Sequence, residues 1–188
     1  MKRERLYLIL SLVVVAVSGA IIYLYQSRDT LPPGHPQVSE EQTQVTASLM
    51  NQISQFKKQL ETDPENYSAL VNLGNSYFDL NNPAEAVKYY ERALKIRPND
   101  PEVLVDCGVM YRELGETAKA LDVFTRATKL APDLPQAFFN LGVVYFVDKG
   151  DPESARKIWQ GFLDDNPNAR PEIKSFFEEK IQQARDAG

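Results

Sequence analysis

The chain has 188 residues, 43% of them hydrophobic, which suits about one globular domain with a real core. Its formal net charge is −5, and residues 1–28 hold four basic residues and one acidic residue, so the remainder is more acidic than the whole. An acidic surface repels phosphate backbones. This balance disfavours binding to nucleic acid and favours a partner with a basic surface.

The chain contains one cysteine, Cys107, and one histidine, His35. A lone cysteine excludes an internal disulfide, a Cys–Cys zinc site and a Cys-x-x-Cys-His haem attachment, so we interpret Cys107 as a small buried residue. His35 lies in a proline-rich segment, away from any nucleophile that it could activate. We therefore expect no catalytic residue, no metal ligand set and no cofactor, and the chain is not predicted to be an enzyme.

Residues 1–28 have the pattern of a membrane anchor. Leu6 to Tyr25 is a run of 20 residues without a charge, and a helix rising about 1.5 Å per residue would cross the hydrocarbon core over that length. A cleaved signal peptide, with Ser18–Ala20 as the cleavage region, is the competing interpretation. The apolar run continues beyond those small residues and exceeds the usual length of about 7–15 residues, which favours an uncleaved transmembrane helix.

Basic residues indicate how this anchor is oriented. Lys2, Arg3 and Arg5 precede the apolar run, whereas only Arg28 follows it before Lys57. The positive-inside rule then places the N-terminus in the cytoplasm. We expect a single-pass protein of the inner (plasma) membrane, with its folded part outside the cytoplasm, in the periplasm of a Gram-negative cell.

A linker is predicted over residues 29–39, where three prolines and a glycine favour a stiff, extended spacer. We interpret His35 as a solvated linker residue, and ligation of a metal or haem iron is the alternative. An N-terminal packing helix over residues 40–64 follows, with Ser39 as its N-cap. Its apolar residues recur at helical spacing: Val45, Leu49, Ile53, Phe56 and Leu60.

A 34-residue period runs from Tyr67 to residue 169 in three copies. The residues that recur at equivalent positions are Gly74, Gly108 and Gly142; Tyr77, Tyr111 and Tyr145; Ala86, Ala120 and Ala155; Tyr90, Phe124 and Trp159; and Pro98, Pro132 and Pro167. The third copy slips by one residue in the turn Asp148–Asp151. Helix-breaking residues divide each copy into two helices that cannot bury their own faces, so stacked copies would build one continuous core.

These residues resemble the tetratricopeptide repeat (TPR), whose pattern is L-x-x-L-G-x-x-Y, then A-x-x-x-[FYW], then A, then P. The resemblance implies an all-α fold, a TPR helical-hairpin solenoid with units at residues 67–100, 101–134 and 135–169. A C-terminal capping helix is predicted over residues 170–188, beginning at Pro171. Its apolar face should cover the last unit: Ile173, Phe176, Phe177, Ile181 and Ala184.

The resemblance also implies that partners bind the concave face, formed by the first helix of each unit. The partner-binding groove carried onto this chain consists of Val71, Asn75, Phe78, Val105, Val109, Arg112, Phe139, Val143, Phe146 and Val147. The third copy supplies the most apolar part, which favours an apolar peptide or an amphipathic helix as the ligand. Covering of this face by the chain's own caps, or by a second copy in a homo-oligomer, remains open.

The predicted function is that of a membrane-anchored protein–protein interaction scaffold or adaptor. The basic residues with which some TPR domains clamp acidic C-termini are missing here, since none of the equivalent groove positions is Lys or Arg. The arrangement is similar to the anchored TPR subunits of cytochrome c maturation systems, which implies an assembly factor in the bacterial envelope that binds an unfolded or helical client. The alternatives are a structural subunit of a secretion, pilus or outer-membrane assembly complex and a self-associating scaffold.

Overall fold

The computed structural model describes residues 40–187, and this part of the chain is helical, with no β-strand in that range. The predicted all-α architecture is therefore confirmed. Within residues 40–187, no helix is both long enough and apolar enough to cross a membrane. The predicted anchor Leu6–Tyr25 and the linker with His35 lie outside the described residues.

The described residues form eight α-helices and one π-helical turn, most of which pair into antiparallel hairpins. In chain order they are α1 (Glu40–Thr62), α2 (Tyr67–Asp79), α3 (Pro83–Ile96), α4 (Pro101–Glu113), α5 (Thr117–Leu130), α6 (Pro135–Val143), the π-helical turn (Val144–Asp148), α7 (Pro152–Asp165) and α8 (Pro171–Asp186). Helices α2 and α3, α4 and α5, and α6 and α7 make the three hairpins. Helix α8 packs against α7 and closes the C-terminal end of the stack.

Local sequence sets where these helices begin and end. The side chains of Asn66, Asn82, Asp100 and Asp151 each accept a hydrogen bond, of 2.9 to 3.3 Å, from the backbone N–H three residues ahead. Such caps satisfy N–H groups that have no partner inside the helix. Five of the helices also carry proline in their first turn, where its missing N–H costs nothing.

Within each hairpin the two helices approach closely at one glycine. A Cβ atom built on Gly74 would lie 2.3 Å from the Tyr90 ring, one on Gly108 would lie 2.6 Å from the Phe124 ring, and one on Gly142 would lie 2.0 Å from Nε1 of Trp159. Those distances are far inside van der Waals contact, so only glycine leaves room for the ring. The recurring glycine and aromatic residue of the sequence are therefore one contact, repeated three times.

Neighbouring hairpins are joined by a shared core and by a repeated side-chain tie. Arg92 donates to the carbonyl oxygen of Pro64 at 2.8 Å, and Arg126, one period later, donates to that of Pro98 at 2.7 Å. The next tie comes from Asn166 Nδ2, which donates to the Pro132 carbonyl at 3.0 Å. These bonds satisfy carbonyl groups in the turns. Those from Arg126 and Asn166 tie a hairpin to the turn that joins it to the hairpin before, and that from Arg92 ties the first hairpin to the turn after α1.

Helix α1 packs over only part of its length, which corrects the predicted face of five apolar residues. Ile53 is buried, and Phe56 and Leu60 are half-buried against the core, whereas Val45 is 55% exposed. Helix α1 has 23 residues, whereas α2 and α3 have 13 and 14. Residues 44–48 are exposed, so this stretch of α1 does not pack on the first hairpin.

The extra residue of the third copy is absorbed in the π-helical turn. In the first two copies, Asn82 N–H donates to the Tyr77 carbonyl and Glu116 N–H to the Tyr111 carbonyl, five residues back. In the third copy the equivalent bond runs from Asp151 to Tyr145, six residues back. The slip thus begins at Val144–Asp148, about one helical turn before the turn Asp148–Asp151 in which the sequence placed it.

Replacing Gly108 by alanine should test the close approach inside the hairpins. We predict that Gly108→Ala lowers the free energy of unfolding by roughly 1–3 kcal/mol, because the new methyl group overlaps the Phe124 ring. Gly161→Ala, also in a helix but with open space around its Cβ, should instead raise stability by about 0.5–1 kcal/mol. Urea unfolding of the full-length chain, followed by circular dichroism, measures both, and equal stabilities would contradict the assignment of Gly108.

Candidate partner-binding groove

The groove is the face formed by α2, α4, α6 and the π-helical turn, which carry all ten residues predicted to bind a partner. Asn75 and Val147 are exposed, and seven others are half-buried. Val105 departs from the prediction, since it is only 6% exposed and belongs to the core. Helix α4 lies between α2 and α6 and contacts both, so Val105 is covered from two sides and does not face a ligand.

The N-terminal half of the groove is acidic. A cavity of about 270 Å³ is lined by Asn75, Phe78, Asp79, Tyr90 and Asp106. Tyr90 donates its hydroxyl hydrogen to Oδ1 of Asn75 at 2.8 Å, which ties α3 to α2 at the wall of the cavity. Burial raises the pKa of Asp106 to about 6, and the charges of Asp100 and Glu102 act in the same direction.

Asp106 was not among the predicted groove residues. The signal was present in the sequence, because the equivalent positions in the other two copies hold Asn72 and Asn140, which are polar but uncharged. An acid that replaces an amide at one position of a repeat changes the charge of the face on which it lies. Only the structure shows that Asp106 is half-buried and shares a cavity with Asp79.

The C-terminal half of the groove is apolar and aromatic. A cavity of about 260 Å³ is lined by Pro135, Gln136, Phe139, Ile173 and Phe176. The Phe139 and Phe176 rings meet edge to face with their centroids 5.0 Å apart, a favourable geometry for aromatic pairs. Phe139 also lies beside Trp159, at 6.5 Å between centroids, so its ring both supports the core and forms the wall of the cavity.

Helix α8 contributes to the groove as well as covering the last hairpin. Phe177, Ile181 and Ala184 are buried, as predicted for a capping helix, but Phe176 is 38% exposed. The apolar face of α8 is wider than the surface of α7 that it covers, because apolar residues on a helix form a broad stripe. Phe176 at its edge therefore points past α7 towards Phe139 and adds to the exposed apolar surface.

Arg112, the one cation predicted in the groove, is bound within the chain. Its Nε lies 2.6 Å from Oδ2 of Asp148 and its Nη2 lies 2.8 Å from Oδ1, a two-pronged ion pair. The two side chains are 20% and 18% exposed, and the hydrogen bond to Asp148 raises the pKa of Arg112. Arg112 joins α4 to the π-helical turn and leaves no free positive charge for a ligand.

A larger cavity, about 610 Å³, lies outside the groove between α3 and α5. Its charged side chains largely bind one another or the backbone. Tyr111 donates to Glu91 at 2.6 Å, Arg126 donates to the Pro98 carbonyl, and Lys119 pairs with Glu116. Size alone therefore does not mark it as a binding site, because few of its polar groups are available to a ligand.

Three protein-family models match the chain. Models described as tetratricopeptide repeat match residues 67–100 and 136–169, and one described as TPR repeat matches residues 108–148. Together they span just over half of the chain, and the predicted TPR resemblance is confirmed. No curated protein matches the chain.

Solved structures share the fold. A crystal structure of MamA has a TM-score of 0.61 at 20% identity, covering 79% of this chain and 94% of that one. YrrB, described as a TPR protein with an unusual peptide-binding site, has a TM-score of 0.61 at 26% identity over 72% of this chain and 68% of its own. The TPR2B domain of yeast Sti1, in a complex with pHsp70, has a TM-score of 0.59 at 16% identity over 65% and 98%.

The ion pair between Arg112 and Asp148 should stabilise the third repeat. In a double-mutant cycle with Arg112→Gln and Asp148→Asn, we expect a coupling energy of about 1–2 kcal/mol, because the pair is mostly buried and two-pronged. The exposed pair of Lys88 and Glu85 provides the control and should couple by less than about 0.5 kcal/mol. Urea unfolding measures both cycles. Equal coupling energies would show that the Arg112–Asp148 pair stabilises the fold no more than an exposed pair does.

The raised pKa of Asp106 predicts a specific dependence of stability on pH. The folded chain holds this proton more tightly than the unfolded chain, whose pKa is near 3.8. The resulting stabilisation is complete below that value and is lost as the pH rises through about 6. Asp106→Asn cannot ionise, so its free energy of unfolding should rise relative to wild type between about pH 4 and pH 7.

The control is Asp122→Asn, which removes an exposed carboxylate from α5. Its stability difference from wild type should change less with pH than that of Asp106→Asn. Urea unfolding at both pH values gives the comparison. A difference between Asp106→Asn and wild type that stays constant over this range would contradict the burial of the Asp106 carboxyl group.

Proposed function

Because the chain belongs to the tetratricopeptide-repeat proteins, we propose that it is a scaffold that binds a peptide or helix of a partner protein in the groove. The observation that carries this proposal is the apolar cavity at the C-terminal half, where the half-exposed rings of Phe139 and Phe176 stand open to solvent. Apolar surface of this kind on a folded chain commonly marks an interaction site. The peptide-binding site described for YrrB and the pHsp70 complex of Sti1 support the same class of function.

The chemistry of the groove supports binding and not catalysis. Arg112 and Asp148 bind each other. The residues that line the acidic cavity include two carboxylates and no His, Cys, Ser or Lys that could act as a nucleophile or base. TPR proteins are generally interaction scaffolds, and we propose that this chain likewise has no enzymatic activity. The groove also lacks the lysines and arginines that would hold an acidic C-terminal peptide.

We further propose that residues 1–28 tether this scaffold to a membrane. The uncharged run from Leu6 to Tyr25 and the basic residues before it support a single-pass inner-membrane protein with its repeats outside the cytoplasm. A tethered groove of this kind suits an assembly factor of the bacterial envelope, such as one for cytochrome c maturation. A structural subunit of an envelope complex is the alternative, and it would differ in holding its partner in fixed stoichiometry.

The test is to purify the tagged full-length chain from its own cells and to identify what remains bound. The groove variant is the double substitution Val147→Glu and Phe176→Glu, since Val147 is 62% exposed on the π-helical turn and Phe176 is 38% exposed beside Phe139. Leu130→Glu, which charges an exposed residue at the end of α5, is the matched control. All three proteins should show equal helicity by circular dichroism.

We expect partners to remain bound to wild type and to Leu130→Glu and to be lost from the groove variant. A partner retained at a constant ratio through gel filtration identifies a structural subunit, whereas a substoichiometric one that dissociates identifies a client. Identical partner lists for all three proteins would refute binding in the groove.

A further inference from the structure

We infer that the bound segment is a stretch of chain with a large apolar side chain at one end and Lys or Arg at the other. The apolar side chain enters the cavity between Phe139 and Phe176, and the cation lies against Asp79 and Asp106. This inference rests on the proposed function, because it assigns the chemistry of the partner that the same groove binds. It follows from the sizes of the two cavities and from the charges that face them.

The size of the apolar cavity points to a side chain as its occupant. Sites for whole small molecules measure roughly 300–1,000 Å³, whereas this cavity measures about 260 Å³. Four of its five lining residues are apolar, and Gln136 supplies the only polar side chain among them. A leucine, methionine or aromatic side chain of a partner would bury the exposed edges of Phe139 and Phe176 without leaving a polar group unpaired.

The charge of the other half of the groove determines what the other end of the segment can carry. Among the described residues, no hydrogen-bond donor or cation pairs with the carboxylate of Asp79 or of Asp106. The charges that act on Asp106 are those of Asp100 and Glu102, and both are negative. A bound cation would relieve this repulsion and would restore the charged form of Asp106, whose pKa is raised by burial.

Within residues 40–187, no Lys or Arg side chain pairs with Asp79 or Asp106. Arg112, on the helix that also carries Asp106, is turned to Asp148 and held there by two short hydrogen bonds. An acidic segment would meet Asp79 and Asp106 without compensation, and a purely apolar one would leave both carboxylates facing it. A segment that is basic at one end and apolar at the other matches the two halves together.

The experiment uses the purified full-length chain and a library of short random peptides displayed on phage. Peptides that bind wild type are kept only if they fail to bind the Val147→Glu, Phe176→Glu variant, so that each survivor depends on the groove. Survivors should contain Lys or Arg together with a large apolar residue, both well above their frequency in the library. Their synthetic forms, labelled with a fluorophore, are then titrated with each protein variant.

The double variant Asp79→Asn, Asp106→Asn should weaken these peptides by about tenfold, the effect of one partly desolvated charge pair. Asp122→Asn, which removes a carboxylate outside the groove, should leave their affinity unchanged. Added salt should weaken binding to wild type more than binding to the Asn variant, because it screens the charge pairs. Circular dichroism of each variant confirms that the helices are intact.

The remaining outcomes contradict the inference, and they show whether only the partner's chemistry is wrong or peptide binding itself fails. Groove-dependent peptides without Lys or Arg, or with affinities that the Asn variant does not change, overturn the basic partner and leave peptide binding in place. If the full-length chain forms dimers and the groove variant does not, a second copy of the chain occupies the groove, and the inference of a basic partner is also overturned. A library without any groove-dependent peptide removes the proposed function itself.

Discussion

The contact between a glycine in the first helix and an aromatic ring in the second sets the geometry of every hairpin in this chain. With no side chain at Gly74, Gly108 and Gly142, the helices come close enough for Tyr90, Phe124 and Trp159 to fill the space between them. The same rings then connect the hairpin core to the groove. Tyr90 reaches Asn75 with its hydroxyl group, and Trp159 supports Phe139 and Phe146. The shape of the binding face thus follows from the packing behind it.

Stacking of similar hairpins produces a groove whose two halves differ in chemistry. Each first helix presents the same positions to the groove, so a change of residue from one copy to the next changes only the local surface. Asp106 in place of an asparagine makes one half acidic, and Phe139 in place of a valine makes the other half aromatic. The π-helical turn carries Asp148 into contact with Arg112, so this cation of α4 is paired within the chain and does not offset the acidic half.

Several residues show why a periodic pattern predicts helices better than it predicts a surface. Val71, Val105 and Phe139 occupy equivalent positions, yet Val105 is buried because α4 has a neighbour on each side. Phe176 repeats the apolar spacing of the capping helix but lies at its exposed edge beside Phe139. Val45 continues the apolar face of α1 beyond the end of the hairpin that it packs on. In each case exposure depends on which element lies opposite, and that information is not local.

The sequence by itself determined the helices, their order and the glycine–aromatic contacts, because capping residues, prolines and a 34-residue period act over short distances along the chain. It also predicted the groove in which we propose that a partner binds. Only the tertiary structure decided which side chains that face exposes, that Arg112 is bound to Asp148, and that α8 lines the apolar cavity as well as covering α7. Those outcomes depend on contacts between residues far apart in the chain, whose distances are set by how whole hairpins stack.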